Sequence, residues 1–247
     1  MRLWSCVVLL LTALTGSAAG AREVRLSVVL PERRVNNFTE SLWAMELGVR
    51  DAIVYAIDNI NRDPHFLPNH TLVASFSDSK CNDVIGPLVA IDMYYKEVVH
   101  AFIGPACPYV VAPIARFSPI WNIPVITGGA LVRAFSEKSE YSLLTRLSGA
   151  YSQTQDVMLR IMQHIGFKHT ATLYANNLNQ NALTMGKSDC WFVIEGLYRA
   201  LLQVGEVESI SDYTQIAFDE KEPFNATELL LELSVKTRGE VSARDDI

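Results

Sequence analysis

The chain has 247 residues, a formal net charge of −6 and 49% hydrophobic side chains, enough apolar mass to bury the core of one large or two modest folded units. Its acids and bases are interspersed rather than blocked, which excludes the basic stripe that a nucleic-acid partner requires. So small a charge on so long a chain steers ligands only weakly.

Met1-Arg2, an apolar core from Leu3 to Leu14 and small residues up to Ala21 read as a secretory signal peptide over residues 1–21. Its run of about 12 apolar residues falls short of the ~20 that a membrane-spanning helix needs. The product is therefore expected to be extracellular, and sequons at Asn37, Asn69 and Asn225 fit a glycosylated surface there. Next, Val24 to Leu30 is an aliphatic run stopped by Pro31, which predicts a buried strand. Met45, Val49, Ile53, Ile57 and Ile60 form one helical stripe. Thr71 to Phe76 predicts a strand, and Val84 to Lys96 a helix with Ile85, Leu88 and Val89 facing inward. A strand at 98–103, a helix at 108–121 and a strand at 124–127 ahead of Gly128-Gly129 continue the alternation. Strands alternating with helices in this way predict an α/β fold with a doubly wound parallel sheet.

Residues 141–148 read equally as a strand or an extended connection. Residues 151–165 predict a helix with Met158, Ile161, Met162 and Ile165 on one stripe. After Gly166 the alternation restarts with a strand at 170–175, a polar loop at 176–189, a helix at 190–204 and a mixed run near 213–218. This places a first lobe at 22–165, a partial second lobe at 166–233 and an atypical charged tail at 234–247, where a buried strand should follow. The expectation is a truncated or fragment form.

No pattern of bond-making chemistry stands out, so no catalytic residue, metal site or enzymatic activity is expected. His65, His70, His100, His164 and His169 lack metal-ligand spacing, and no GxSxG elbow occurs. Gly186-Lys187-Ser188 lacks the earlier glycine of a phosphate-binding loop. The informative stretch is IGPACPYVVAPIARF, residues 103–117: the end of an apolar run, a glycine-proline turn, a cysteine, then helical spacing. A loop of this kind turns the first amides of its helix into the crevice beyond the strand ends, where open α/β sheets bind ligands. Tyr109, Tyr141, Tyr174, Trp191 and Phe192 fall near strand ends or helix starts. Rings there can bury against a partner, although a place in the core accounts for them equally. With Cys6 in the leader, Cys81, Cys107 and Cys190 remain, an odd number for an oxidising compartment.

That stretch, with WNIPVITGGALVRAFSEKSEYSLLTR (121–146), DCWFVIEGL (189–197), SVVLPE (27–32) and DSKC (78–81), resembles the natriuretic peptide receptor ectodomains. These are a branch of the receptor ligand-binding family built on the type I periplasmic-binding-protein fold. The likeness covers roughly residues 24–240. It implies two α/β lobes, the second incomplete, a natriuretic-type peptide hormone as ligand and a homodimer in the full-length receptor. Membrane attachment would come only through a segment missing from this sequence. The receptor would be of the guanylate-cyclase-linked or the clearance type, with any cyclase activity in an intracellular domain not present here.

The resemblance also implies a Cys81–Cys107 disulfide. It would close a loop of about 25 residues and stabilise the fold by about 3 kcal/mol. Cys190 resembles a cysteine whose partner lies further along, so it is expected to form no disulfide within this sequence. The implied hormone contacts are Asp83, Tyr109, Arg116, Glu140, Tyr141, Tyr174 and Phe192, with Glu195 nearby. Their types suit a cyclic peptide carrying arginines: carboxylates for guanidinium groups, rings for apolar side chains. Arg199 departs from the pattern, standing where the guanylate cyclase receptors have an apolar contact. The implied chloride site uses the Ser79 hydroxyl and the backbone amides of Ala106 and Cys107. Two other readings are a small-molecule sensor of the same fold, using Thr127-Gly128-Gly129-Ala130, and an exported decoy.

Overall fold

A computed structural model describes residues 21–33, 44–96, 98–166, 169–175, 189–205, 212–219 and 223–238. Residues 1–20 of the segment expected to be a signal peptide, Asn37, the Gly186-Lys187-Ser188 segment and the last nine residues lie outside the described residues.

Five parallel strands form the first sheet in the order β2-β1-β3-β4-β5. They are β1 (Arg22–Leu30), β2 (His70–Asp78), β3 (Ala101–Ile103), β4 (Val125–Thr127) and β5 (Leu144–Arg146). β1 pairs with β2 along its whole length, from Arg22 opposite His70 to Leu30 opposite Asp78. Its buried end shows why the sheet needs cover on both faces. Val28 and Leu30 point into one core cluster with Met45 and Ala106, whereas Val29 points into the other with Phe102, Val110 and Val125. Successive strand side chains alternate in direction, so one aliphatic run serves two layers. α1 (Val49–Arg62) supplies Val49 and Ile53 to the first cluster. α2 (Ile85–Lys96) and α3 (Pro108–Trp121) supply Ala90, Met93, Val111 and Ile114 to the second.

The boundaries of α3 follow from local chemistry. Cys107 is its extended N-cap and Pro108 takes the first turn, where a missing N–H costs nothing. Asn122 ends it in the left-handed region, with its N–H on the Pro119 and Ser118 carbonyls. Pro113 and Pro119 cannot donate inside the helix, so burial has to hold it. Val110, Val111, Ile114, Ala115 and Ser118 are all fully buried.

Two expectations about helix faces are corrected. Leu88 is 57% exposed; the buried face of α2 is made of Gly86, Pro87, Ala90 and Met93. Small residues are required there, because a Cβ on Gly86 would lie 2.5 Å from a methyl of Val110 in α3. On α4 (Tyr151–Ile165), only Met162 of the expected stripe is buried, while Met158, Ile161 and Ile165 are exposed. The ambiguous 141–148 segment contains β5, which runs parallel to β4.

The second sheet pairs β6 (His169–Ala175) with β7 (Asp212–Phe218) in parallel, and α5 (Asp189–Gly205) and α6 (Ala226–Arg238) accompany it. α6 runs on past residue 233, where the charged tail was expected to begin, as far as Arg238. α4 lies in the segment assigned to the first lobe, yet it packs against α5. Met162 clusters with Leu197 and Leu201, and the buried Gln155 donates its side-chain amide to the Val193 carbonyl at 3.1 Å. The approach is close because Gly196 has no side chain: a Cβ there would lie 1.8 Å from the Gln155 amide nitrogen. Gly196→Ala is expected to lower the unfolding free energy by about 1–3 kcal/mol in urea denaturation. The cost should shrink in a Gln155→Ala background, where the methyl group has room.

Candidate functional site

The C-terminal ends of β1 and β2 lead into a turn that is held from several sides. The Asp78 carboxylate accepts hydrogen bonds from the Glu32 and Lys80 amides, both at 2.8 Å. The Ser79 amide donates to the Leu30 carbonyl at 2.9 Å, and the Ser79 hydroxyl accepts from the Cys81 amide at 3.3 Å. Lys80 and Cys81 both sit at left-handed φ, 52° and 51°, a conformation that costs about 1–3 kcal/mol per non-glycine residue. What fixes them is that hydrogen-bond set together with the Cys81–Cys107 disulfide, whose Cα atoms are 5.6 Å apart. The expected pairing is thus present, and Cys190 takes part in no disulfide. Asn82 then caps α2, its side-chain oxygen accepting from the Val84 and Ile85 amides at 2.9 Å each.

The disulfide brings this turn to the start of α3. Ser79, Ala106 and Cys107, the residues expected at an anion, are all buried in this corner. The loops after β3 and β4 are locked beside it. Thr127 donates its hydroxyl to the Pro105 carbonyl at 2.7 Å and accepts from the Gly129 amide at 2.9 Å. Gly129 presses against Ala106 so closely that a Cβ would meet its carbonyl oxygen at 2.4 Å. The Thr127 hydroxyl thus spends its proton inside the fold, which weakens the small-molecule reading built on it.

Along the outer face of α3, Tyr109 and Arg116 are seven residues apart and share one side. Arg116 pairs with Glu140 at 2.5 Å, and its guanidinium carbon lies 5.3 Å from the ring centre of Tyr141. Tyr141 itself is only 2% exposed and packs edge-on against Phe135, so it carries Arg116 rather than offering surface of its own. Burial, foremost, raises its pKa; the Arg116 charge opposes this and Glu140 reinforces it. Tyr109 reaches across to the second unit, its ring centre 6.2 Å from that of Phe192 on α5. Glu195 follows one turn later and is ion-paired to Arg199. Asp83 is half-buried in the turn entering α2, and Tyr174 is half-buried near the end of β6.

Between α5 and the 132–137 segment lies a cleft of about 800 Å³. Val132, Trp191 and Phe192 give it apolar walls, and Arg133, Glu137, Glu195 and Arg199 bring charge. Glu137 accepts from the Ser139 hydroxyl at 2.7 Å and the Ser139 amide at 3.1 Å, which holds its carboxyl below the usual range. Sequence reasoning missed Arg133 and Glu137, since nothing local marks them. The four-residue spacing of Glu195 and Arg199 was the available signal for their pairing. Among the described residues there is no group of three or more His, Cys, Asp or Glu side chains that could hold a metal ion, and no helix long and apolar enough to cross a membrane.

Two outcomes follow from this geometry. Replacing both Cys81 and Cys107 by serine should lower stability by about 3 kcal/mol in denaturant titration. Raising the pH should also act through Tyr141. Its folded pKa is raised, so the stability it contributes is complete below the ordinary tyrosine value and is lost as pH climbs through the raised one. Tyr141→Phe should remove that component, leaving the variant less sensitive to alkali than the parent in pH-dependent unfolding.

The receptor family ligand binding region matches residues 48–222. Atrial natriuretic peptide receptor 2 of Bos taurus is 31% identical over 199 residues, covering 79% of this chain and 18% of the relative. Atrial natriuretic peptide receptor 3 of Rattus norvegicus is 29% identical over 199 residues, covering 76% of this chain and 34% of the relative. The chain therefore corresponds to 18% of one relative's length and 34% of the other's. With a family match that runs from the start of α1 into the second sheet, over the parallel α/β architecture described above, the chain belongs to the receptor family ligand binding region, a periplasmic-binding-protein-like fold.

Proposed function

We propose that this chain is the extracellular hormone-binding region of a natriuretic-peptide-type receptor, and that it binds a disulfide-closed peptide carrying arginines and apolar residues. The observation that carries the reading is the contact between Tyr109 on α3 and Phe192 on α5, two rings from helices that accompany different sheets, with centres 6.2 Å apart and Phe192 lining the charged cleft. Half-exposed aromatic side chains beside fixed charges are what a peptide anchor needs. The similarity to receptors named for atrial natriuretic peptide supports the ligand class. The assignment is to binding, with no bond-making step.

The same reading includes a chloride ion held by the Ser79 hydroxyl and the amides of Ala106 and Cys107. Their burial supports it, with Ser79 in the turn that the disulfide ties to the start of α3, where helix amides favour an anion. It also includes glycans at the sequons. Asn69 and Asn225 are both exposed, and Asn225 caps α6 through its side-chain oxygen, leaving its amide nitrogen for a sugar. A homodimer of the full-length receptor would find apolar surface in Leu88 and Tyr95, which share the outer face of α2 and are 57% and 79% exposed.

Titrating the chain with arginine-bearing cyclic peptides tests the assignment. Tyr109→Ala should weaken binding by about 2 kcal/mol, roughly thirtyfold, with folding unchanged. Thr127→Val should instead lower stability, because it unpins the Pro105 loop. An absence of binding by any such peptide, or an affinity indifferent to Tyr109, would refute the reading.

A further inference from the structure

The charges around the cleft are unequally committed. Glu195 is paired with Arg199 one turn along α5. Glu140 is paired with Arg116. Glu137 is hydrogen-bonded to both the hydroxyl and the amide of Ser139. Among the described residues, both carboxylates that line the cleft, Glu137 and Glu195, and Glu140 beside it already have a partner inside the chain. Arg133 is the exception among the cations. It is exposed at the end of the short helical turn Arg133–Ser136, it lines the cleft, and it makes no ion pair with any described residue. Next to it stands the apolar wall of Val132, Trp191 and Phe192.

We infer that Arg133 is the specificity determinant of the cleft, and that it takes a carboxylate on the peptide, an acidic side chain directly adjoining an apolar residue. The inference rests on the peptide-binding reading above and adds to it. A ligand guanidinium entering here must first displace Arg199 from Glu195, so it exchanges one ion pair for another. A ligand carboxylate meeting Arg133 displaces only water. Arginine's planar fork accepts a carboxylate through two parallel hydrogen bonds, a geometry that asparagine in the ligand does not reproduce. The adjoining apolar residue then lies against Trp191 and Phe192. A volume of about 800 Å³ falls within the ~300–1,000 Å³ of sites that enclose a small ligand, room for two adjoining side chains of a peptide ring.

The test is a double-mutant cycle on the whole chain. The probes are two disulfide-cyclised, arginine-bearing peptides that differ only in a Phe-Asp or a Phe-Asn step. The aspartate peptide is expected to bind roughly tenfold more tightly. In Arg133→Gln the difference should collapse to near unity, and Arg133→Lys should keep part of it. Because Arg133 is exposed, these variants fold as the parent does, which retention of the disulfide and of the far-ultraviolet spectrum checks. Equal binding of both peptides by the parent overturns the inference and leaves the peptide-binding reading in place. A preference for aspartate that persists in Arg133→Gln overturns the assignment to this residue. If neither peptide binds at all, the peptide-binding reading falls and the inference falls with it.

Discussion

The first unit is held together at its working end by the covalent tie between the turn after β2 and the start of α3. Without it, two successive non-glycine residues would have to keep a left-handed backbone on hydrogen bonds alone. With it, the Asp78 carboxylate, the Ser79 hydroxyl and the Asn82 cap all act on a segment whose far end is anchored. The placement of Tyr109 follows, since it lies two residues beyond Cys107 and its ring direction is set by the first turn of α3. The loops after β3 and β4 complete the floor of the crevice through Thr127 and Gly129, so that strand ends and helix start are tied to one another.

The second unit depends on a different device. α4 and α5 approach at a glycine, and a buried glutamine fills the space left by the missing side chain while bonding to the backbone of the partner helix. This polar contact sets where Phe192 stands, since the amide of Gln155 bonds the carbonyl of Val193 beside it. The cleft is therefore bounded on one side by a disulfide-braced lobe and on the other by a helix positioned through one side chain. Among the described residues, the carboxylates that line it are already paired or hydrogen-bonded within the chain, whereas Arg133 has no ion pair.

Much of the architecture was legible in the sequence, because a buried parallel strand leaves an uninterrupted aliphatic run and a covered helix leaves a stripe. The span of α3 could be read from Pro108 at its start and from its apolar spacing, and the paired cysteines from the resemblance. Legibility failed where the buried face is small rather than oily. Gly86 and Ala90 carry no hydrophobic signal, so Leu88 was assigned inward when it points out. It failed again on α4, where the buried positions are Gln155 and Met162 and the apolar periodicity misleads. β5 has three residues and one fully buried side chain, too short for any period to show. The site was legible by residue type and not by role: the resemblance counts Tyr141 among the ligand contacts, residue type alone leaves it open to the core, and at 2% exposure it is a core ring that supports Arg116. Which carboxylates are already spoken for depends on neighbours distant in sequence, and no spacing rule reveals that.

The aromatic step from Trp191 to Phe192 has an optical corollary. The two rings are 5.3 Å apart, Trp191 lines the cleft, and Phe192 touches Tyr109 of the opposite unit. Trp121, by contrast, is stacked on Tyr94 at 4.7 Å, within the first unit. Any change in the angle between the units alters the surroundings of Trp191 and spares Trp121, so that of these two indoles the first gauges the crevice by its fluorescence and the second serves as its reference.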